Sequence, residues 1–166
     1  MFNGCVKFDK ALNTVGNQWN VSNVENMKES NTGVFMGCCS TEYNSSIMEQ
    51  SEIVNEYANT GGLLTLLSNR VSYFYDLRGP SLTLDTACSS SGYALHLACQ
   101  SLIAGETDQC IVGGANVLIK PESSIAFSQA TMLSAEGKCK SFDAEANGYV
   151  ISEGFVTIMI KPLDKA

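Results

Sequence analysis

Apolar and polar positions come in short blocks along this chain, and the period changes from block to block. TGVFMGCC, Thr32 to Cys39, is an apolar run closed by small residues, the pattern of a buried strand ending in a turn. Leu63, Leu67, Val71 and Phe74, with Leu64 beside them, recur at helical spacing and predict an amphipathic helix over 62–73. Gly79 and Pro80 stop that helix, because proline lacks an N–H and restricts the residue before it. SLTLDTA, Ser81 to Ala87, alternates and reads as a second short buried strand. Beyond Cys88, the positions Ala94, Leu95, Ala98, Leu102 and Ile103 form an apolar stripe, and Gly105 is a good stop. Asp108 to Ile119 predicts a third strand, in which Gly113 and Gly114 allow a bend or the close approach of another backbone. Pro121 opens a short helix through Gln129, since the first helical position needs no N–H, and Phe155 to Ile160 predicts the last strand.

Strands and helices in that order argue for an α/β layered domain with a mixed sheet. Residues 1–31 stand apart: they hold seven asparagines and little apolar periodicity, so they read as a loosely structured lead-in. The 45% apolar content suffices for one core in a chain of 166 residues. Gly, Ser, Thr or charged residues break every apolar segment before it reaches membrane-spanning length, and MFNGCVKFDK lacks the apolar centre of a signal peptide, so a soluble, cytoplasmic protein is expected. A net charge of −7 with scattered basic residues speaks against a nucleic-acid partner. Seven cysteines without a secretory signal are expected to be thiols. The adjacent Cys38 and Cys39 have no CxxC spacing around them and the chain holds one histidine, so no metal site is expected.

The chemistry concentrates in DTACSSSGYALH, Asp85 to His96. Cys88 falls between a buried strand and a helix, at the end of the sheet where α/β proteins display ligands and nucleophiles. Ala87 and Ser89 to Ser91 are small enough for a tight turn, and the serines are expected to cap the first N–H groups of the helix. A helix N-terminus carries partial positive charge that favours thiolate over thiol, and its N–H groups suit the oxygen of a thioester under attack. His96 is excluded as the partner of Cys88 within this helix: eight residues are a rise of about 12 Å and a turn of roughly 80° off the starting face. It reads as scaffold on or beside the packed face. From composition and position alone, Cys88 is equally a nucleophile or a small buried hydrophobe.

The string NRVSYFYDLRGPSLTLDTACSSSGYALHLACQSLIAGETD, Asn69 to Asp108, closely resembles the active-site region of β-ketoacyl synthases, above all the ketosynthase domains of modular polyketide and animal-type fatty acid synthases. TGVFMG before it and IVGGANVLIKPESSIAFSQATMLSAEGKCKSFDAEANGYVISEGFVTIMIKPLDKA after it extend the likeness, so 32–166 reads as a partial ketosynthase N-terminal domain behind a divergent lead-in. The resemblance implies a thiolase-like layered fold, in its N-terminal half only. It implies that Cys88 accepts an acyl group from the phosphopantetheine arm of an acyl carrier protein, with no cofactor bound by the chain itself and a homodimer as the complete enzyme. A malonyl-type extender is then decarboxylated and its carbanion attacks the Cys88 thioester. The Cys88 N–H supplies one donor of the family's oxyanion hole. The two histidines and the lysine of the decarboxylation step belong to a C-terminal half outside this sequence. The alternative is therefore a catalytically incomplete ketosynthase, serving as a dimerisation or carrier-docking remnant.

By the family's pattern Phe127 and Met132 line the acyl pocket, although both suit plain core positions equally well. Thr131 replaces a glycine of the family's AGML run, and in NGYVISEG the residues Asn147, Ile151 and Ser152 replace an acid, an arginine and a glycine. Asp143 and Glu153 read as loop-fixing hydrogen-bond acceptors. A cysteine hydrolase is a poor fit, because the turn lacks the Gly-x-nucleophile-x-Gly spacing. A half domain leaves apolar faces uncovered, so marginal stability is expected of the chain alone.

Overall fold

The computed structural model describes residues 27–165 apart from 51 and 53, so most of the lead-in segment, residues 1–26, lies outside the described residues. Its last residues are tied to the domain. Glu29 N–H donates to the Asp76 carbonyl, Arg78 N–H to that of Ser30, and Asp108 N–H to that of Asn31, while Met27 packs against the core.

Four strands form one sheet in the order β2-β1-β3-β4, with β1 Thr32–Gly37, β2 Ser81–Leu84, β3 Gln109–Asn116 and β4 Gly154–Ile160. β1 runs parallel to β2 and β3, and β4 runs antiparallel to β3, so the sheet is mixed. All six residues of β1 are buried, as befits a strand with a neighbour on each side and a layer over each face.

Helices occupy the connections: α1 Glu42–Glu49, α2 Ala58–Gly62, α3 Thr65–Phe74, α4 Ser90–Ile103 and α5 Pro121–Gln129. The pleat sorts the core into two layers. Leu82, Phe35, Val112 and Ile158 stand in register across the four strands and pack, with Cys110 and Ile160, against Ala94, Ala98 and Cys99 of α4. Val34 and Met36 point the other way and pack with Leu77 against Leu67 and Val71 of α3. The two alanines of α4 are fully buried, and their small size brings the helix axis close to the sheet.

The structure departs from the periodicity in three places. Leu63 is extended at ψ 133° behind α2, so the predicted helix begins at Thr65 rather than Gly62. β2 ends at Leu84, because the Asp85 carboxylate takes the Ala87 N–H and turns the chain. The polar stretch EYNSSIME is helical as α1 although none of its residues is buried.

Candidate active site

Parallel pairing brings the ends of β1 and β2 side by side: Gly37 is opposite Leu84, and Cys38 N–H donates to the Leu84 carbonyl at 3.1 Å. The chain then turns through Asp85–Ser89 into α4. Within the turn the Ser90 hydroxyl accepts the Thr86 N–H at 2.9 Å and donates to the Ala87 carbonyl at 2.6 Å. The Ser89 hydroxyl donates to the Thr86 carbonyl at 2.7 Å. These bonds correct the expectation that the serines cap α4. Ser89 is the N-cap residue with ψ 1°, not extended, and its hydroxyl turns back to Thr86 instead of forward to the helix N–H groups.

Ala87 adopts φ 54°, the left-handed region that an L residue with a Cβ enters at a cost. This inversion, one residue before Cys88, is a feature that composition could not reveal. It reverses the chain so that Cys88 stands exposed at the mouth of the turn, one residue before the N-cap.

Two glycines seat the helix on the strand ends. A Cβ on Gly37 would stand 2.4 Å from the Ser91 nitrogen and 2.5 Å from the Ser90 carbonyl carbon, and one on Gly114 would stand 2.9 Å from the Ser91 Cβ. Gly114 thus permits the close approach expected of the pair at 113 and 114. Gly37 does the same on β1.

The described thiols fall into two classes. Cys99 and Cys110 are core residues whose thiols burial pushes up, so they are poor nucleophiles. Cys39, Cys88 and Cys139 are exposed. Partial desolvation by the surrounding chain, then the Asp85 carboxylate, Cys38 and Cys88, push the thiol of the exposed Cys39 up, which puts Cys39 in electrostatic reach of the turn. Cys88 is therefore displayed, not a buried hydrophobe.

His96 lies two turns along α4 on the exposed side, its ring 5.8 Å from that of Tyr93. It is on the solvent face rather than on the packed one. Phe127 and Met132 come together: Met132 N–H donates to the Phe127 carbonyl, Met132 accepts the Tyr149 N–H, and the Phe127 and Tyr149 rings are 6.4 Å apart. Both side chains are partly exposed, at 38% and 43%, so they are not core residues among the described ones. No hydrogen bond or ring contact joins them to Cys88 among the described residues.

Thr131 between them has φ 56°, a left-handed conformation that glycine adopts without strain and a β-branched residue does not. The Glu153 carboxylate accepts the Leu118 N–H and the Asp143 carboxylate that of Glu145, both as loop-fixing acceptors do. Asn147 accepts from the Ser134 hydroxyl and donates to Glu136, so an amide anchors this loop without a formal charge. No three His, Cys, Asp or Glu side chains cluster as metal ligands would among the described residues, and none of the described helices is long and apolar enough to cross a membrane.

A cysteine displayed between a parallel strand and a helix N-terminus, above a mixed sheet with helices on both faces, defines an α/β layered domain with an exposed thiol at the ends of its parallel strands. Residues 9–166 match the family model described as the β-ketoacyl synthase N-terminal domain, and the chain belongs to that family. The match begins well ahead of Thr32. Among similar proteins, the compactin diketide synthase mlcB of Penicillium citrinum is 49% identical over 143 residues, and the lovastatin diketide synthase lovF of Aspergillus terreus is 48% identical over 143. Each alignment covers 86% of this chain and 6% of the relative, so the chain spans a small part of the curated relatives it matches. A ketosynthase from module 6 of the bacillaene synthase of Bacillus subtilis 168 superposes with a TM-score of 0.77 at 38% identity, covering 87% of this chain and 24% of that one. The Streptomyces albus oxazolomycin ketosynthase OzmH KS7 gives 0.73 at 34%, covering 85% and 26%. The fold is accordingly the thiolase-like layered α/β architecture of these ketosynthases.

Proposed function

We propose that this chain supplies the acyl-accepting nucleophile of a polyketide-type condensing site, with Cys88 as its catalytic residue. The Cys88 thiolate attacks the carbonyl carbon of an acyl thioester carried on the phosphopantetheine arm of an acyl carrier protein. Negative charge develops on the carbonyl oxygen beside the α4 N-terminus, the arm leaves as a thiol, and the acyl group stays on the Cys88 sulfur. Phe127 and Met132 are the side chains proposed to lie along the acyl chain. In a longer, homodimeric protein this thioester would be the electrophile for a decarboxylated malonyl-type extender. The polyketide relatives favour a polyketide pathway over a fatty acid one.

The observation that carries this reading is the exposure of Cys88 at a turn whose every bend is hydrogen-bonded, in a chain similar to ketosynthases. Incubation of the reduced chain with an acyl N-acetylcysteamine thioester, followed by intact mass and peptide mapping, should give one acyl group on Cys88. Cys88→Ala should abolish the adduct and Cys139→Ala should leave it in place. An unmodified Cys88 in the wild type would refute the reading.

A further inference from the structure

Two exposed thiols flank the contact between the end of β1 and the start of α4. Cys39 follows β1 by two residues and Cys88 precedes Ser90 by two, and Gly37 and Ser90 are the residues whose backbones touch. Two residues of chain reach at most about 7 Å, so both cysteines hang on short tethers from one contact. The Cys38 N–H bond to Leu84 fixes one strand end against the other. Cys39 itself lies between β1 and α1, outside any helix or strand, and the Asp85 carboxylate and Cys88 both act on its thiol. A disulfide needs Cα atoms within about 6.8 Å, a separation that these tethers permit.

We propose that Cys39 is a resolving thiol for Cys88, so that peroxide converts the pair to a reversible Cys39–Cys88 disulfide that masks the nucleophile. The consequence for acyl transfer rests on the reading of Cys88 given above; the disulfide does not. The Cys88 thiolate attacks one oxygen of hydrogen peroxide, the O–O bond breaks, and hydroxide leaves and is protonated to water. The sulfenic acid on Cys88 is then attacked by the Cys39 sulfur. The S–O bond breaks as the S–S bond forms, and the departing hydroxide takes the Cys39 proton as a second water. In sum two thiols are oxidised by two electrons and one peroxide is reduced to two waters. A dithiol reductant reverses the change. Cys38 is a poor competitor: it is buried, and its thiol points to the Ser40 carbonyl at 3.9 Å. Without a resolving thiol, Cys88 is open to the sulfinic acid, which thiols do not reduce.

Trypsin separates the partners, since Cys38 and Cys39 fall in peptide 29–70 and Cys88 in peptide 79–138. After peroxide treatment of the 166-residue chain, the wild type should yield these two peptides joined, two hydrogens lighter than their sum, with fragment ions placing the link at Cys39 and Cys88. Dithiothreitol should release them and restore uptake of the acyl group. Cys39→Ser should lose the link, accumulate Cys88 with two added oxygens, and stay inactive after reduction, whereas Cys38→Ser should behave as wild type. A link inside peptide 29–70 alone, or sulfinic acid on Cys88 forming equally fast with and without Cys39, would overturn the proposal. A reduced wild type that takes no acyl group yet forms the link would count against acyl transfer only and would support the thiol pair.

Discussion

At the scale of single residues, the exposure of Cys88 depends on a neighbour with no reactive group. Ala87 holds a left-handed backbone between two hydrogen-bonded halves of the turn, with its N–H on Asp85 and its carbonyl taking the Ser90 hydroxyl. Such a conformation costs a residue with a Cβ about 1–2 kcal/mol, and a β-branched side chain more. The hydrogen bonds on either side hold this angle, and it turns Cys88 outward at the helix end. Ala87→Val adds to that cost and should therefore lower unfolding free energy by about 1 kcal/mol in urea titrations, and slow iodoacetamide labelling of Cys88. Ala87→Gly relaxes the strain while loosening the unfolded chain, so its stability should equal that of wild type or exceed it by up to about 1 kcal/mol. Equal stability of the valine variant and wild type would show that the turn is not strained. The place of Cys88 between β2 and α4 was legible in the sequence, whereas composition and position left open whether its thiol is displayed or buried, and the structure displays it. The inversion at Ala87 was not legible. Alanine has no preference for that region, and only the hydrogen bonds around it impose the angle.

At the scale of elements, legibility followed burial. β1, α3 and α4 announce themselves because their apolar positions face a core, as Val34, Phe35, Leu67, Ala94 and Ala98 do. α1 buries nothing, so no periodicity marks it, and it is fastened through its terminal carboxylates, Glu42 above all. Glu42 accepts the N–H groups of Ile119 and Lys120, at 2.7 and 2.9 Å, and the hydroxyl of Ser123 at 2.6 Å. It thus holds the N-terminus of α5 from a helix 77 residues away in sequence, with Lys120 paired to Glu49 beside it. The Ser123 hydroxyl, then the Lys120 and Ile119 N–H groups, hold the Glu42 carboxyl below its ordinary value near 4.5. A depressed carboxylate contributes stability that is complete above the unfolded-state value and disappears as pH falls through the folded one. The clasp between α1 and α5 should accordingly weaken below about pH 4.5, read as a lower protection of the Ile119 and Lys120 amides relative to their intrinsic exchange rates at the same pH. Glu42→Gln should exchange fast at neutral pH and show less change on acidification. A wild type whose exchange at these amides has no acid-dependent step beyond that of the variant would contradict the assignment.

At the scale of the whole molecule, one side of the sheet explains why a legible fold is still an uneasy one. β4 is an edge strand among the described residues, and it pairs through Gly114–Val156 and Ala115–Phe155 at the end of the sheet where Cys88 is displayed. Paired residues share a face, so Val156 lies on the α4 side beside Ser91 and Phe155 on the opposite side. Both remain largely exposed, at 67% and 70%. A strand that presents apolar side chains on both faces and unpaired N–H and C=O groups along its rim is a template for association. The apolar run FVTIMI predicted the strand correctly, but an apolar run is silent about what covers each side chain. The expectation of uncovered apolar faces acquires residues here: Phe155 and Val156 on β4, with Tyr73 and Phe74 at the end of α3. The 166-residue chain should therefore sediment as a mixture whose mean mass rises with concentration, and the rise should sharpen in sulfate, which strengthens apolar association. The double change Phe155→Lys and Val156→Lys places like charges along the same rim and should hold the chain monomeric over the same range, while the core contacts of Ile158 and Ile160 with α4 keep the sheet formed. A wild type that stays monomeric throughout, or a double variant that associates as readily, would move the source of instability away from β4.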